Sequence, residues 1–114
     1  MRIALLADIH ANVAAFKSVL ADIKNKKIDQ IWNFGDSIGY SPFPNEVIVQ
    51  LKRANVKSIV GNYDLKVLQF KKNEAKWRRA KDPVKFFSFS WTYRSMCEKS
   101  KRYLKKLPKA AKQN

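Results

Sequence analysis

The sequence predicts an α/β protein in which a parallel βαβαβ sheet is followed by helices. Three short, mainly apolar runs predict the strands: residues 3–7, 31–34 and 57–60. The first stops at a polar residue, and the other two stop at a glycine followed by a polar residue. Those polar residues, Asp8, Asp36 and Asn62, are 28 and 26 residues apart, and a βαβ unit takes about 30 residues. We therefore expect them at the carboxyl ends of three parallel strands, where open α/β sheets bind ligands.

Helical spacing and turn signals predict the elements between these strands. Asn12 can cap a first helix, whose apolar positions share one face: Val13, Phe16, Val19, Leu20 and Ile23. Turn signals follow the second strand at Gly39, Pro42 and Pro44. Asn45 can cap a second helix, and the third strand is expected at residues 56–60. The order is therefore βαβαβ.

Residues 64–107 predict further helices. One helix can run from residue 64 to residue 80, and Asp82 before Pro83 is a typical helix start. The helix after Pro83 carries two apolar stripes: Phe86, Phe89, Tyr93 and Met96 on one, Val84, Phe87 and Trp91 on the other. A helix that is apolar on two faces is expected to be buried on both. Ser100 can cap a last helix.

Charge separates the first part of the chain from the rest. Residues 1–64 hold 8 Lys/Arg and 6 Asp/Glu, whereas residues 65–114 hold 16 Lys/Arg and 3 Asp/Glu. Nearly all of the total net charge of +15 therefore lies in the second part. We therefore divide the chain into a βαβαβ half-domain at 1–64, a basic helical extension of the same domain at 65–107, and a tail at 108–114 that is expected to be disordered.

Composition excludes several classes of protein. A chain of 114 residues with 46% hydrophobic residues predicts one folded domain. No apolar run approaches the roughly 18 residues that span a bilayer, and the first run meets Asp8 too early for a secretory signal. We expect a cytoplasmic protein with no membrane partner. The single cysteine, Cys97, is expected to be a small buried side chain.

The residues at the three strand ends have the chemistry of metal ligands. Asp8 and His10 alternate along an extended chain, so they point the same way. Asp36 can bridge two divalent cations, and Asn62 can offer an amide oxygen. Imidazole with carboxylate suits Mn, Fe, Zn or similar ions. Two such ions about 3.5–4 Å apart would hold a hydroxide and clamp a phosphoryl group for in-line attack.

Each of these residues also has an ordinary structural interpretation. Asp8 and Asp36 can be helix caps, His10 can be a surface residue, and Asn62 can be a turn residue. Their joint spacing favours a common site.

Three motifs resemble those of the calcineurin-like metallophosphoesterases, in particular a small bacterial branch of that family. They are Asp8-Ile9-His10-Ala11-Asn12, Gly35-Asp36-Ser37-Ile38-Gly39-Tyr40-Ser41-Pro42 and Gly61-Asn62-Tyr63-Asp64. The resemblance covers residues 1–64 well and continues weakly to Leu107-Pro108. It implies the first half of an αββα sandwich that hydrolyses phosphomonoesters, phosphodiesters or nucleotides.

The resemblance also implies a role for each site residue. Asp8 and His10 would hold the first metal, Asp36 would bridge both, and Asn62 would hold the second and touch the phosphate. Tyr63 stands where the family usually has a histidine that assists the leaving group, and it is a candidate catalytic residue. Ala11 replaces a more common glycine. The family's further ligands are later histidines, including a Gly-His-x-His motif, but no histidine follows His10 here.

We therefore expect a truncated metal-dependent phosphoesterase whose turnover alone is doubtful. The open face of its sheet and the second stripe of its apolar helix would need a partner, either a second-half chain or another copy. One alternative is a non-catalytic remnant or a split half. Another is a basic nucleic-acid-binding module. In that case Lys and Arg side chains would attract the phosphate backbone, and bases would stack on the rings of Trp77, Trp91 and Tyr103. That alternative is not favoured, because no basic stripe can be assigned to one face.

Overall fold

The sheet consists of three parallel strands in chain order. The structure, a computed structural model, describes residues 1–110. Strand β1 spans Ile3–Leu6, β2 spans Gln30–Asn33 and β3 spans Lys57–Ser58. Leu6 pairs with Asn33, which pairs with Ser58, so the three strands end level at one edge. The predicted βαβαβ order is confirmed.

Strand β3 is shorter than the sequence predicted. The N–H of Ile59 still donates to the Asn33 carbonyl at 3.0 Å, but the N–H of Val60 donates to the Pro108 carbonyl at 2.9 Å. The chain leaves the sheet at this point because its hydrogen bonds go to a later segment. Pro108, the first residue of the predicted tail, is thereby joined to the segment that follows β3. Residues 111–114 of that tail lie outside the described residues.

Six helices accompany the sheet. They are α1 Val13–Lys24, α2 Pro44–Arg53, α3 Asn62–Leu68, α4 Phe70–Ala80, α5 Pro83–Ser95 and α6 Glu98–Lys105. Two predicted caps are confirmed, because Asn12 accepts from the N–H of Ala15 and Asp82 accepts from the N–H of Lys85. The single helix predicted for residues 64–80 is instead two, α3 and α4, with a break at Gln69.

Asn45 and Ser100 do not cap helices as predicted. Helix α2 starts at Pro44, whose fixed φ suits the first helical position, and α6 starts after Cys97. Asn45 instead joins α2 to the α5–α6 corner. Its amide oxygen accepts from the Cys97 N–H at 3.0 Å and from the Ser100 hydroxyl at 2.8 Å, and its amide nitrogen donates to the Ser95 carbonyl at 2.9 Å.

Cys97 is exposed, so the prediction of a buried cysteine was wrong.

We expect Asn45→Ala to lower the free energy of unfolding by about 2–3 kcal/mol, because it removes three hydrogen bonds from a partly buried corner. Urea unfolding measures the change. Asn73→Ala is the matched control, since Asn73 makes one exposed bond to the Gln69 carbonyl. Equal losses for the two variants would show that the corner does not depend on Asn45.

The core has two parts. Phe16, Val47 and Leu51 fill the space between the sheet and helices α1 and α2. A second cluster joins α2 to the later helices and contains Ile38, Ile48, Val67, Phe70, Phe89, Met96 and Leu104. The later helices are therefore packed onto the βαβαβ unit through α2.

Two apolar surfaces stay open, as the sequence led us to expect. Leu5 is 63% exposed on the sheet face opposite Leu6. On α5 the stripe of Phe86, Phe89, Tyr93 and Met96 packs into the core, whereas Phe87 on the other stripe is 66% exposed. Among the described helices, none has the length and apolar character to cross a membrane.

Candidate metal centre

Three of the predicted ligands meet at the carboxyl edge of the sheet. Asp8 and His10 follow β1, and Asp36 follows β2. One ligand atom from each side chain lies within 4.8 Å of the other two. This spacing lies within reach of one cation or of two neighbouring cations. Two carboxylates and an imidazole are a donor set that suits a divalent transition metal, so the residues present fit the metal that the sequence predicted.

The hydrogen bond of His10 leaves the other ring nitrogen free. Its Nδ1 is 2.9 Å from the carbonyl oxygen of Ile38. Since a carbonyl can only accept, Nδ1 is the donor in this bond, and Nε2 is the ring nitrogen that a cation could use. Metal-ligating histidines are commonly oriented in this way by a carbonyl on the second nitrogen. The loop after β2 therefore supplies both a ligand, Asp36, and the group that orients His10.

Asp36 is held by the start of α3. Its Oδ1 accepts from the N–H of Tyr63 at 2.8 Å. Asn62 is the first residue of α3 and is exposed, and its neighbours Gly61 and Tyr63 both lie against Asp36. The backbone of Asn62 therefore lies beside the Asp36 loop. Its role as a metal ligand stays a prediction.

The ligand loops adopt unusual backbone conformations. The φ angles of Asp8, His10 and Asp36 are 57°, 46° and 56°, in the left-handed region that non-glycine residues rarely adopt. Three backbone bonds hold these loops together, from the N–H groups of Asp8, His10 and Ala11 to the carbonyls of Gly35, Asp36 and Ser37 at 3.1, 3.0 and 2.8 Å. Strain of this kind collects where surrounding contacts fix side chains for function.

A buried carboxylate whose structural role sequence reasoning missed organises the site. Asp64 is 0% exposed, and it accepts four backbone N–H bonds of 2.9–3.2 Å, from Gly61, Asp36, Ser37 and Ile38. Burial raises the pKa of Asp64 to about 6, and the N–H donors act against that rise. The signal was its position three residues after Gly61, where an acid reaches back to the start of its helix.

A second missed feature is a buried polar network below the ligands. The amide nitrogen of Asn33 donates to Ser37 at 2.8 Å and to Ser58 at 3.2 Å, while its oxygen accepts from the Gly35 N–H at 3.1 Å. The network therefore links the end of β2 to its own loop and to β3.

Two glycines allow the loops after β2 and β3 to touch. Gly35 has a φ of 105°, and a Cβ added there would lie 2.5 Å from the backbone nitrogen and Cα of Gly61. No real Cβ atom tolerates such a contact with backbone. The close approach brings Asp36 to the start of α3.

Aromatic rings form one wall of the site. The rings of Tyr40 and Tyr63 lie 5.0 and 5.4 Å from the ring of His10, each edge to face. The hydroxyl of Tyr63 is hydrogen-bonded to Ser88 of α5. Burial raises the pKa of Tyr63 to about 12, so the phenol stays protonated at neutral pH. Tyr63 can donate a hydrogen bond, and its catalytic role stays a prediction.

Lysines cover two of the three aromatic rings. Lys81, just after α4, lies over Trp77 at 4.9 Å, and Lys52 of α2 lies over Tyr103 of α6 at 5.4 Å. These two rings therefore already have cations on their faces, whereas Trp91 is 38% exposed. The hypothesis of base stacking on all three rings gains no support from this arrangement.

A parallel sheet whose loops gather two carboxylates and an imidazole defines an α/β protein with a candidate metal centre. A model of the calcineurin-like phosphoesterase superfamily domain matches residues 1–113, and the chain belongs to that superfamily. The family predicted from the three motifs is thereby confirmed.

Relatives with known sequences or structures support this membership. An uncharacterised protein of Methanocaldococcus jannaschii is 32% identical over 118 residues, which cover 98% of this chain and 44% of that protein. The structure is similar to a metallophosphoesterase from Sphaerobacter thermophilus, with 33% identity, a TM-score of 0.71 and coverage of 95% of this chain and 42% of that one. A hypothetical protein from Pyrococcus horikoshii has 27% identity, a TM-score of 0.79 and coverage of 93% and 47%. The chain spans less than half the length of these relatives.

Proposed function

We propose that this chain carries the first ligands of a metal-dependent phosphoesterase. The cluster of Asp8, His10 and Asp36, with ligand atoms within 4.8 Å of one another, is the observation that supports this function. In the proposal Asp8 and His10 hold a first cation, and Asp36 bridges that cation and a second one. Asn62 completes the set toward the second cation and the phosphate. Mn, Fe or Zn suits these donors.

A bound cation pair would supply Lewis-acid activation of water and of the phosphoryl oxygens. The protein's own residues prepare the site for that chemistry. The Ile38 carbonyl fixes the tautomer of His10. Asp64 holds the N–H groups of Asp36 and Gly61 together, so that the loops after β2 and β3 keep one relative position. Tyr63 offers a protonated phenol beside His10.

Turnover is proposed to need ligands beyond these. The sequence contains one histidine, His10, whereas the family resemblance implies several. In this proposal residues outside this sequence contribute the remaining ligands, and the substrate is a phosphomonoester or phosphodiester.

Metal titration tests the proposal at Asp36. We expect the protein to bind Mn²⁺ and Asp36→Asn to weaken that binding by about 100-fold or more, because even residues that only orient ligands contribute 10- to 100-fold. If the unsubstituted protein hydrolyses bis(4-nitrophenyl) phosphate, the rate should fall in Asp36→Asn together with the Mn²⁺ affinity. Asp22→Asn is the matched control, since the Asp22 side chain forms an exposed ion pair with Lys26 at the end of α1. Unchanged Mn²⁺ affinity in Asp36→Asn would end the proposal for this chain.

A further inference from the structure

The segment from Ile38 to Tyr40 orients the ring of His10 in two ways. The carbonyl oxygen of Ile38 lies 2.9 Å from Nδ1 of His10, and the ring of Tyr40 lies edge to face with the imidazole, with centroids 5.0 Å apart. The ring of Tyr63 contacts the imidazole in the same manner at 5.4 Å. The direction of Nε2 therefore depends on what holds this segment and the ring of Tyr63.

Two side chains hold the ends of that segment. At its first residue, the N–H of Ile38 donates to the buried carboxylate of Asp64 at 3.2 Å. At its last residue, the N–H of Tyr40 donates to the hydroxyl of Ser88 at 3.2 Å. The φ of Tyr40 is 65°, in the left-handed region that non-glycine residues rarely adopt, so this end of the segment needs a partner that fixes it. Ser88 belongs to α5, and a later helix therefore holds the loop after β2.

The same hydroxyl also holds the ring of Tyr63. The hydroxyl groups of Ser88 and Tyr63 are hydrogen-bonded to each other. The next residue of α5, Phe89, is 2% exposed and packs against Tyr63 with ring centroids 4.5 Å apart, so the core fixes this part of the helix. The loop after β2 touches the ring of Tyr63 as well, because a Cβ added at Gly39 would overlap it. Ser88 therefore binds both parts of the wall that contacts the imidazole.

We propose that Ser88 is a positioning residue of the metal centre that fixes the imidazole of His10. It acts through the N–H of Tyr40 and the hydroxyl of Tyr63 rather than by binding a cation itself. The proposal rests on the proposed function for the metal. Histidine ligands depend on the groups that orient their rings, so the loss of this hydroxyl should weaken metal binding. Sequence reasoning missed this role because Ser88 lies 25 residues after Tyr63 and 48 after Tyr40.

The NMR signals of His10 test the proposal in the metal-free protein. His10 is the only histidine of the sequence, so its two carbon-bound ring protons give the only imidazole signals. Ser88→Ala should shift them, because aromatic rings shift neighbouring protons and the two tyrosine rings would change position. Ser90→Ala is the matched control: Ser90 lies on the same helix and accepts an exposed bond from Arg94, and its loss should leave the signals in place. Unmoved His10 signals in Ser88→Ala would overturn the proposal.

Metal affinity measures the consequence for the site. Ser88→Ala should weaken Mn²⁺ binding by about ten-fold, the lower end of the range for residues that orient metal ligands, whereas Ser90→Ala should retain the affinity of the unsubstituted protein. Ser88→Thr keeps the hydroxyl and should recover most of the lost affinity, which a role in packing alone does not predict. Equal Mn²⁺ affinities in Ser88→Ala and Ser90→Ala would contradict the proposal.

Tyr63→Phe removes the same hydrogen bond from the other side and keeps the ring. If Ser88 acts through Tyr63, Ser88→Ala should cost less Mn²⁺ affinity in the Tyr63→Phe protein than in the unsubstituted one. Equal costs in the two proteins would reject this coupling and with it the proposal. If Ser88→Ala does not fold, Tyr63→Phe carries the test, and His10 signals that stay in place in that variant would overturn the proposal.

The two measurements separate this proposal from the proposed function. If the protein binds no Mn²⁺, the proposed function fails, and the His10 signals of the metal-free protein still decide whether Ser88 positions the imidazole. Bound Mn²⁺ with an unchanged affinity in Ser88→Ala leaves the proposed function standing and rejects the role of Ser88.

Discussion

Asp64→Ala is expected to cause the largest loss of stability of any single side-chain truncation at this site. The carboxylate accepts N–H bonds from Gly61, Asp36, Ser37 and Ile38 and is fully buried. Each buried donor left without a partner costs about 1–3 kcal/mol, so we expect the free energy of unfolding to fall by about 4 kcal/mol or more. The whole free energy of unfolding of a domain is about 5–15 kcal/mol, so this single change removes a large part of it. Urea unfolding followed by circular dichroism measures the loss.

Asp82→Ala is the matched control for this prediction. Asp82 also accepts a backbone N–H at a helix start, but it makes one such bond, to Lys85, at an exposed position. Removing a cap of this kind costs about 1 kcal/mol. Asp64→Asn keeps one acceptor oxygen but places an NH₂ group against N–H donors. Its loss of unfolding free energy should lie between the losses of Asp64→Ala and Asp82→Ala. A loss in Asp64→Ala no greater than that in Asp82→Ala would contradict the organising role of Asp64.

Gly35→Ala is expected to separate the loops that carry the ligands. The added Cβ would lie 2.5 Å from backbone atoms of Gly61, which cannot move aside as a side chain tip can, and the φ of 105° is itself unfavourable for alanine. Overpacking and backbone strain each cost about 1–3 kcal/mol, so the expected loss is about 3 kcal/mol or more. Mn²⁺ affinity should fall too, because Asp36 is the next residue.

The reverse substitution in the neighbouring loop is the control. Ala11 is buried with a φ of 58°, so Ala11→Gly removes backbone strain while it deletes one methyl group. These effects oppose each other, and the change should stay within about 1 kcal/mol. Similar losses in Gly35→Ala and Ala11→Gly would show that the contact between Gly35 and Gly61 does not limit the site.

The sequence predicted the sheet and the meeting of three ligands because both depend on local patterns. Apolar runs fixed β1 and β2, and the spacing of Asp8 and Asp36 matched βαβ units, so parallel pairing left few alternatives. The helix starts at Asn12 and Asp82 were predicted because their side chains bond within three residues. In such cases the sequence contains the whole interaction.

The features that sequence reasoning missed depend on distant partners. Asn45 has the sequence context of a cap, yet its partners lie 50 to 55 residues later, at Ser95, Cys97 and Ser100. Asp64 was recognised as part of a motif, but three of its four donors come from a loop 26 to 28 residues earlier. Which polar side chains become buried connectors is decided by tertiary packing, and a single sequence does not specify those partners.

The most direct measurement of the central claim is the anomalous-scattering map of crystals grown with Mn²⁺. We predict a strong peak within coordinating distance of Asp8, His10 and Asp36, with His10 ligating through Nε2. Absence of any peak at these three side chains, in crystals whose protein is folded and exposed to saturating Mn²⁺, would contradict the claim that the strand ends form a metal centre.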